Sequence, residues 1–177
     1  MRRIVLIAFA LLAMCFGSAS AADAPSFELK NLDGKKVTLK KLLKDNKIVV
    51  VDFWQVGCKP CNELLPHLQD YADEFKKKGV AVVIISRDTA LTQSQVEPFF
   101  KSNKYSFPVL LDGDQEVSRR FGVKASPATF IIQPDGNMVL QHFGYKSGQE
   151  KEIKETIEAL LAGKDVKEKK ATGATVK

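Results

Sequence analysis

Cysteine, histidine, methionine and tryptophan are all scarce in this chain: three, two, three and one in 177 residues. A zinc site needs about four ligands, and apart from Cys15 only Cys58, Cys61, His67 and His142 are available. His67 falls in a predicted helix and His142 in a predicted hairpin, which disfavours zinc. No methionine cluster supports copper. The longest apolar run, Ile4 to Phe16, falls short of the ~20 residues a spanning helix needs. There is no internal repeat and no low-complexity block. With 45% hydrophobic and 27% charged residues, the chain fits neither a collagenous, a disordered nor a multi-span membrane class. One domain with a substantial core remains.

A basic binding face is also lacking. The net charge is +6, of which Arg2 and Arg3 supply two. The segment from Lys164 to Lys177 holds five lysines against Asp165 and Glu168, a net three. What lies between is near neutral, so nucleic-acid binding is not expected.

The N-terminal "MRRIVLIAFALLAMCFGSASAADAPS" has the three parts of an export leader: two arginines, an apolar stretch, then small residues. Ala19 and Ala21 form an A-x-A pattern, so residues 1–21 read as a signal peptide, with cleavage after Ala22 as the neighbouring choice. An uncleaved anchor, for which the apolar run is short, and lipidation at Cys15, where Met14 is bulky, are the minor alternatives. Leader removal leaves two cysteines in an exported protein, expected in a periplasmic or other extracytoplasmic compartment.

Residues 22–163 read as one folded domain and 164–177 as a disordered basic tail without apolar spacing. Asp33-Gly34 between Phe27–Leu29 and Val37–Leu39 predicts a hairpin, followed by a turn of helix over Leu39–Lys44. "IVVVDFW" and "VAVVIIS" are continuous apolar runs of the kind found in strands covered on both faces. Leucines and aromatics at three- and four-residue steps predict a helix over Asn62–Lys77. A second helical stretch covers Ser94–Lys104, and Gln149–Leu161 is amphipathic. "FPVLLD" reads as a strand, "QEVSRRFGV" as a short helix, and "ATFIIQPDGNMVLQHFG" as two strands around a Pro-Asp-Gly turn. The alternation gives an α/β fold, and the closing hairpin implies a mixed sheet.

The chemistry concentrates in "VDFWQVGCKPCNELLP", Val51 to Pro66. Cys58 falls at the head of the long helix, where unpaired N–H groups and the peptide dipoles favour a thiolate, and Lys59 adds a positive charge. Pro60 is tolerated in a first turn. Cys61 lies one turn later, close enough to bond to Cys58. A C-x-x-C bridge closes too small a ring to be an effective staple, but such a ring opens readily by thiol exchange. Asp52 sits among Val49, Val50, Val51, Phe53 and Trp54. If buried it exchanges protons near neutral pH; the alternative is an outward-facing aspartate at a strand end. Arg87 and Asp88, at the end of "VAVVIIS", either rim the site or are solvated loop charges, and the second reading is preferred.

"VDFWQVGCKPC" resembles the thioredoxin active-site segment V-D-F-W-A-x-W-C-G-P-C, and "VKASPATFIIQPDG" resembles its cis-proline segment. The resemblance runs from about Phe27 to Gly163. With the leader and an insertion around Ser86–Tyr105, it is closest to the TlpA-like and ResA-like extracytoplasmic thioredoxins. It implies a thioredoxin-like fold, a central mixed sheet flanked by helices, with an N-terminal hairpin and an inserted αβ element. It also implies that Cys58 is the exposed nucleophile and Cys61 the buried resolving thiol. Pro127 becomes the cis-proline with Ser126 beside it, Asp52 the acid/base, and Trp54 the aromatic under the site, with Lys59 and Pro60 lining the substrate side. Three positions depart from the pattern. Gly57 replaces the usual tryptophan, Lys59 replaces glycine, and Leu64 stands where cytochrome-maturation members carry a glutamate. The expected protein is a monomeric thiol-disulfide oxidoreductase acting on protein disulfides and thiols. It would need no metal or organic cofactor and would draw electrons from a membrane thiol-disulfide donor. The rival functions are a thiol peroxidase and a non-catalytic copper or haem-protein chaperone. The peroxidase element P-x-x-x-T-x-x-C is not present.

Overall fold

A computed structural model describes residues 23–172. The leader assigned to residues 1–21 lies outside the described residues, as does the tail beyond Thr172. The strands are β1 (Glu28–Asn31), β2 (Lys36–Thr38), β3 (Ile48–Trp54), β4 (Val80–Ser86), β5 (Val109–Leu111), β6 (Ala128–Ile132), β7 (Met138–Phe143) and β8 (Lys169–Thr172). They form one sheet in the order β2-β1-β5-β4-β3-β6-β7-β8. The β3–β4 and β4–β5 pairs are parallel, while β6 runs antiparallel to β3 and β1 antiparallel to β5. The sheet is therefore mixed, and its N-terminal hairpin β1–β2 is joined through β1 to β5.

The helices are α1 (Leu39–Asp45), α2 (Lys59–Phe75), α3 (Val96–Ser102), α4 (Glu116–Arg120) and α5 (Gln149–Leu161). Strand β3 is buried along its whole length, which is why it shows no polar alternation. Its side chains divide by parity between two cores. Ile48, Val50 and Trp54 join Cys61, Leu64, Leu65 and Leu68 of α2, Val96 and Phe100 of α3, and Ile153 and Ile157 of α5. Val49, Val51 and Phe53 join Leu39 of α1 and Val117 of α4 on the other face. The inserted stretch after β4 begins as a 3₁₀ turn, Gln93–Gln95, and continues as α3. Pro98 lies in the first turn of that helix, where its missing N–H is harmless.

The tail differs from the sequence expectation. Glu168 and Val166 are anchored, the first by Gln141 at 2.9 Å and the second against the α2 side of the core. Strand β8 then adds in parallel to β7. A lysine-rich segment without apolar spacing pairs here because the outer edge of β7 offers backbone groups, which are indifferent to side chain.

Candidate active site

The parallel run of β3 ends at Trp54 and a short loop carries the chain to α2. Gly57 in this loop has φ +78°, and a Cβ there would meet nothing within 4 Å. Backbone conformation, not lack of room, therefore favours glycine, and the surface beside the first cysteine is bare. Cys58 caps α2 in an extended conformation, its sulfur accepting the Cys61 N–H at 3.3 Å. Cys58 and Cys61 form a disulfide with Cα atoms 5.3 Å apart. Cys58 is half-buried and Cys61 fully buried, so only one sulfur is offered to solvent. Lys59 is exposed at the first position of α2 and Pro60 is half-buried behind it. Helix α2 thus starts three residues before the position expected from its apolar period, because Lys59 and Pro60 form its first turn.

Trp54 is fully buried beneath this turn. Its indole N–H donates to Asn62 Oδ1 at 3.1 Å, and its ring packs on Phe99 and Phe100 at 4.8 and 4.9 Å. The inserted α3 is in this way built into the floor of the site. The Ser126–Pro127 bond is cis. Pro127 is buried, Ser126 half-buried, and the Pro127 carbonyl accepts Gly144 N–H at 2.8 Å. Because Phe53 pairs with Ala128, the cis-proline lies at the same end of the sheet as Trp54 and the disulfide.

Asp52 is 0% exposed and, by the alternation of β3, lies on the face that α2 covers. The outward-facing alternative is therefore ruled out. Oδ1 accepts the Thr129 hydroxyl at 2.7 Å, while Oδ2 is buried with no hydrogen-bond partner among the described residues. Burial pushes the carboxyl up to about 8, and the Thr129 hydrogen bond opposes this. At neutral pH this side chain holds a proton that it can surrender. Leu64 is buried in the core and Glu63 is exposed, so no carboxylate replaces Asp52 from α2.

Arg87 and Asp88 are not the solvated loop charges expected from the sequence: they are 8% and 5% exposed. Asp88 accepts the Val56 N–H on both oxygens, at 3.2 and 3.1 Å. The Ser86 and Thr92 hydroxyls donate to it at 2.9 and 2.8 Å. Arg87 donates to Ser118, Ser126 and Gln115 at 3.2, 3.4 and 3.3 Å. Burial lowers its pKa, with Asp112 opposing. No local period flags these residues, since Val56, Gln115, Ser118 and Ser126 lie 28 to 39 positions away in sequence. Thr129 and Asn62 were missed for a similar reason: each acts on another strand or turn. The histidines stay apart. His142 is buried against Glu152 at 3.0 Å, and His67 is half-buried on α2. Among the described residues no three His, Cys, Asp or Glu side chains cluster as metal ligands do.

This arrangement is that of a thioredoxin-like thiol-disulfide oxidoreductase: a redox disulfide heading a helix, over a mixed sheet, beside a cis-proline. The chain belongs to the AhpC/TSA family, whose model matches residues 21–141. Among its relatives is the thiol-disulfide oxidoreductase ResA of Bacillus thuringiensis strain Al Hakam, 33% identical over 73% of each chain. The ResA of Bacillus subtilis strain 168 is 34% identical over 68% of this chain and 65% of its own. Among solved structures, one assigned as the thiol:disulfide interchange protein DsbE from Chlorobium tepidum is 28% identical. It covers 80% of this chain and 96% of its own with a TM-score of 0.72.

Proposed function

We propose that this protein is an exported reductase of protein disulfides, working through Cys58 and Cys61. The observation that carries the proposal is the division of the pair: a half-exposed sulfur on the helix cap and a fully buried one a turn inside. In the dithiol form, the Cys58 thiolate attacks a substrate disulfide, forming a mixed disulfide and releasing one substrate sulfur as thiolate. Asp52 first releases its own proton to solvent, its carboxylate then takes the proton of the Cys61 thiol, and the resulting thiolate attacks Cys58. The second substrate sulfur leaves, and the Cys58–Cys61 disulfide closes. Two electrons pass to the substrate, and a membrane thiol-disulfide donor returns them. Trp54 floors the site, Pro60 and Lys59 line its outer turn, and Ser126 and Pro127 form the opposite wall on which the substrate chain rests.

The leader and the two cysteines left after its removal support export. No helix among the described residues is long and apolar enough to cross a membrane. Lys59 favours the thiolate and hence a more oxidising pair than thioredoxin's, and we propose a monomer. Insulin reduction with dithiothreitol as electron source tests the reading. Cys58→Ser should lose at least about 10³-fold in rate, and Cys61→Ser should accumulate the mixed disulfide. Full activity in Cys58→Ser would overturn the nucleophile. The AhpC/TSA match keeps a thiol peroxidase as a second reading, although Gln55 stands three residues before Cys58 where that chemistry uses threonine. Peroxide turnover without insulin reduction would select it, and stoichiometric copper retention without either activity would select a chaperone.

A further inference from the structure

Two walls flank the Cys58 sulfur, and one dipeptide at the end of β4 is bonded to both. On the first wall, Val56 begins the turn that delivers Cys58, and its N–H is held by both oxygens of Asp88. On the second, Ser126 precedes the cis-proline, and its hydroxyl is reached by the Arg87 guanidinium at 3.4 Å. The dipeptide is itself fixed. Arg87 N–H donates to the Trp54 carbonyl at 2.8 Å, and Gln115 donates to the Arg87 carbonyl at 3.0 Å. Ser86 and Thr92 occupy the remaining capacity of Asp88. All three guanidinium nitrogens of Arg87 are used, on Ser118, Ser126 and Gln115, and Ser118 in turn donates to Asp112 at 2.6 Å. A planar donor fork and a two-oxygen acceptor, both nearly buried, impose direction as well as distance.

We infer that Arg87 and Asp88 are positioning residues for disulfide exchange: Asp88 fixes the turn that presents Cys58, and Arg87 fixes the Ser126–Pro127 wall that receives the substrate chain. This rests on the oxidoreductase reading above. It adds a division of labour, since misplacing the nucleophile slows the step that breaks the substrate bond, whereas loosening the wall weakens substrate binding. Thr92, four residues before α3, which closes over Trp54 through Phe99 and Phe100, shares Asp88 with Val56. The insertion and both walls are therefore joined through one hydrogen-bond network.

The experiment is steady-state insulin reduction by the full chain, with dithiothreitol fixed, read as separate KM and kcat. Arg87→Met should raise KM about five- to tenfold and hold kcat within about twofold. Asp88→Ala should lower kcat about tenfold with KM nearly constant, and Asp88→Asn should recover most of it, because its amide oxygen still accepts the Val56 N–H. Hydrogen exchange read in the same proteins should show the Val56 amide losing protection in Asp88→Ala but keeping it in Arg87→Met. A wild-type KM in Arg87→Met, or both variants losing kcat and KM in equal proportion, overturns the inference. Should Arg87→Met fail to fold, Ser126→Ala removes that one contact and should raise KM two- to threefold; an unchanged KM again overturns it. A wild-type protein that reduces no insulin would sink the functional reading instead. The Val56 exchange pattern would then still decide whether Asp88 holds the turn.

Discussion

Two aspartates are buried, one inside β3 and one just past the end of its parallel neighbour β4, and their surroundings differ. Asp88, just beyond β4, receives N–H or O–H donors on both oxygens from Val56, Ser86 and Thr92. Asp52, inside β3, receives one donor, Thr129, and its second oxygen has none among the described residues. Both are at most 5% exposed. The supply of donors, rather than burial, separates the two. A carboxylate with donors on both oxygens is placed to anchor the segments that supply them. One left short of them is pushed up to about 8 by burial, within reach of neutral pH.

The largest expected effect is on stability. Asp52 is raised to about 8 in the folded protein, against ~3.9 for an aspartate in an unfolded chain. Between those values the unfolded chain is ionised while the folded one keeps its proton, so the folded state binds more protons. Stability must then fall as pH rises, by about 1.4 kcal/mol per pH unit, and level off above roughly pH 8. Urea unfolding of the oxidised protein between about pH 5 and pH 8 should show this slope in the wild type and not in Asp52→Asn. Equal slopes would dissolve the contrast between the two carboxylates.

Next in size is the rate. Asp52→Asn cannot take the Cys61 proton and should lower kcat about 10²-fold, while Asp88→Asn loses only a few-fold. Comparable losses would mean both aspartates act through structure. Thr129→Val should move the pH–rate limb of the acid upward by about one unit, because the lost hydrogen bond favours the ionised form. A limb that stays in place would assign it to another group. Smallest is Ser86→Ala, which removes one of several donors from Asp88. It should cost about 1 kcal/mol in unfolding and leave the pH–rate profile where it was.

The legible parts of the fold were those that local pattern controls. Helix α5 runs from Gln149 to Leu161 as its apolar spacing predicts, and the buried runs at Ile48 and Val80 are the central parallel strands. Cys58, Cys61 and the Ser126–Pro127 pair were legible because their motifs are contiguous. What stayed hidden depends on partners distant in sequence. Arg87 and Asp88 follow an apolar strand as charges do at most strand ends, and only the fold supplies Ser118, Ser126 and Val56 to bury them. Thr129 is an ordinary strand residue until register sets it opposite Asp52. Strand β8 has no sequence signal, because its pairing is a backbone affair.

That last strand has a consequence for the edge of the sheet. Strand β7 is buried nearly throughout, so without a neighbour its outer edge would present open amide and carbonyl groups to any extended peptide in its surroundings. Residues Lys169–Thr172 occupy that seat, with the exposed Lys169 at its start. Cutting the chain after Gly163 should leave the redox pair intact and yet turn a well-behaved solution of molecules into a sticky one.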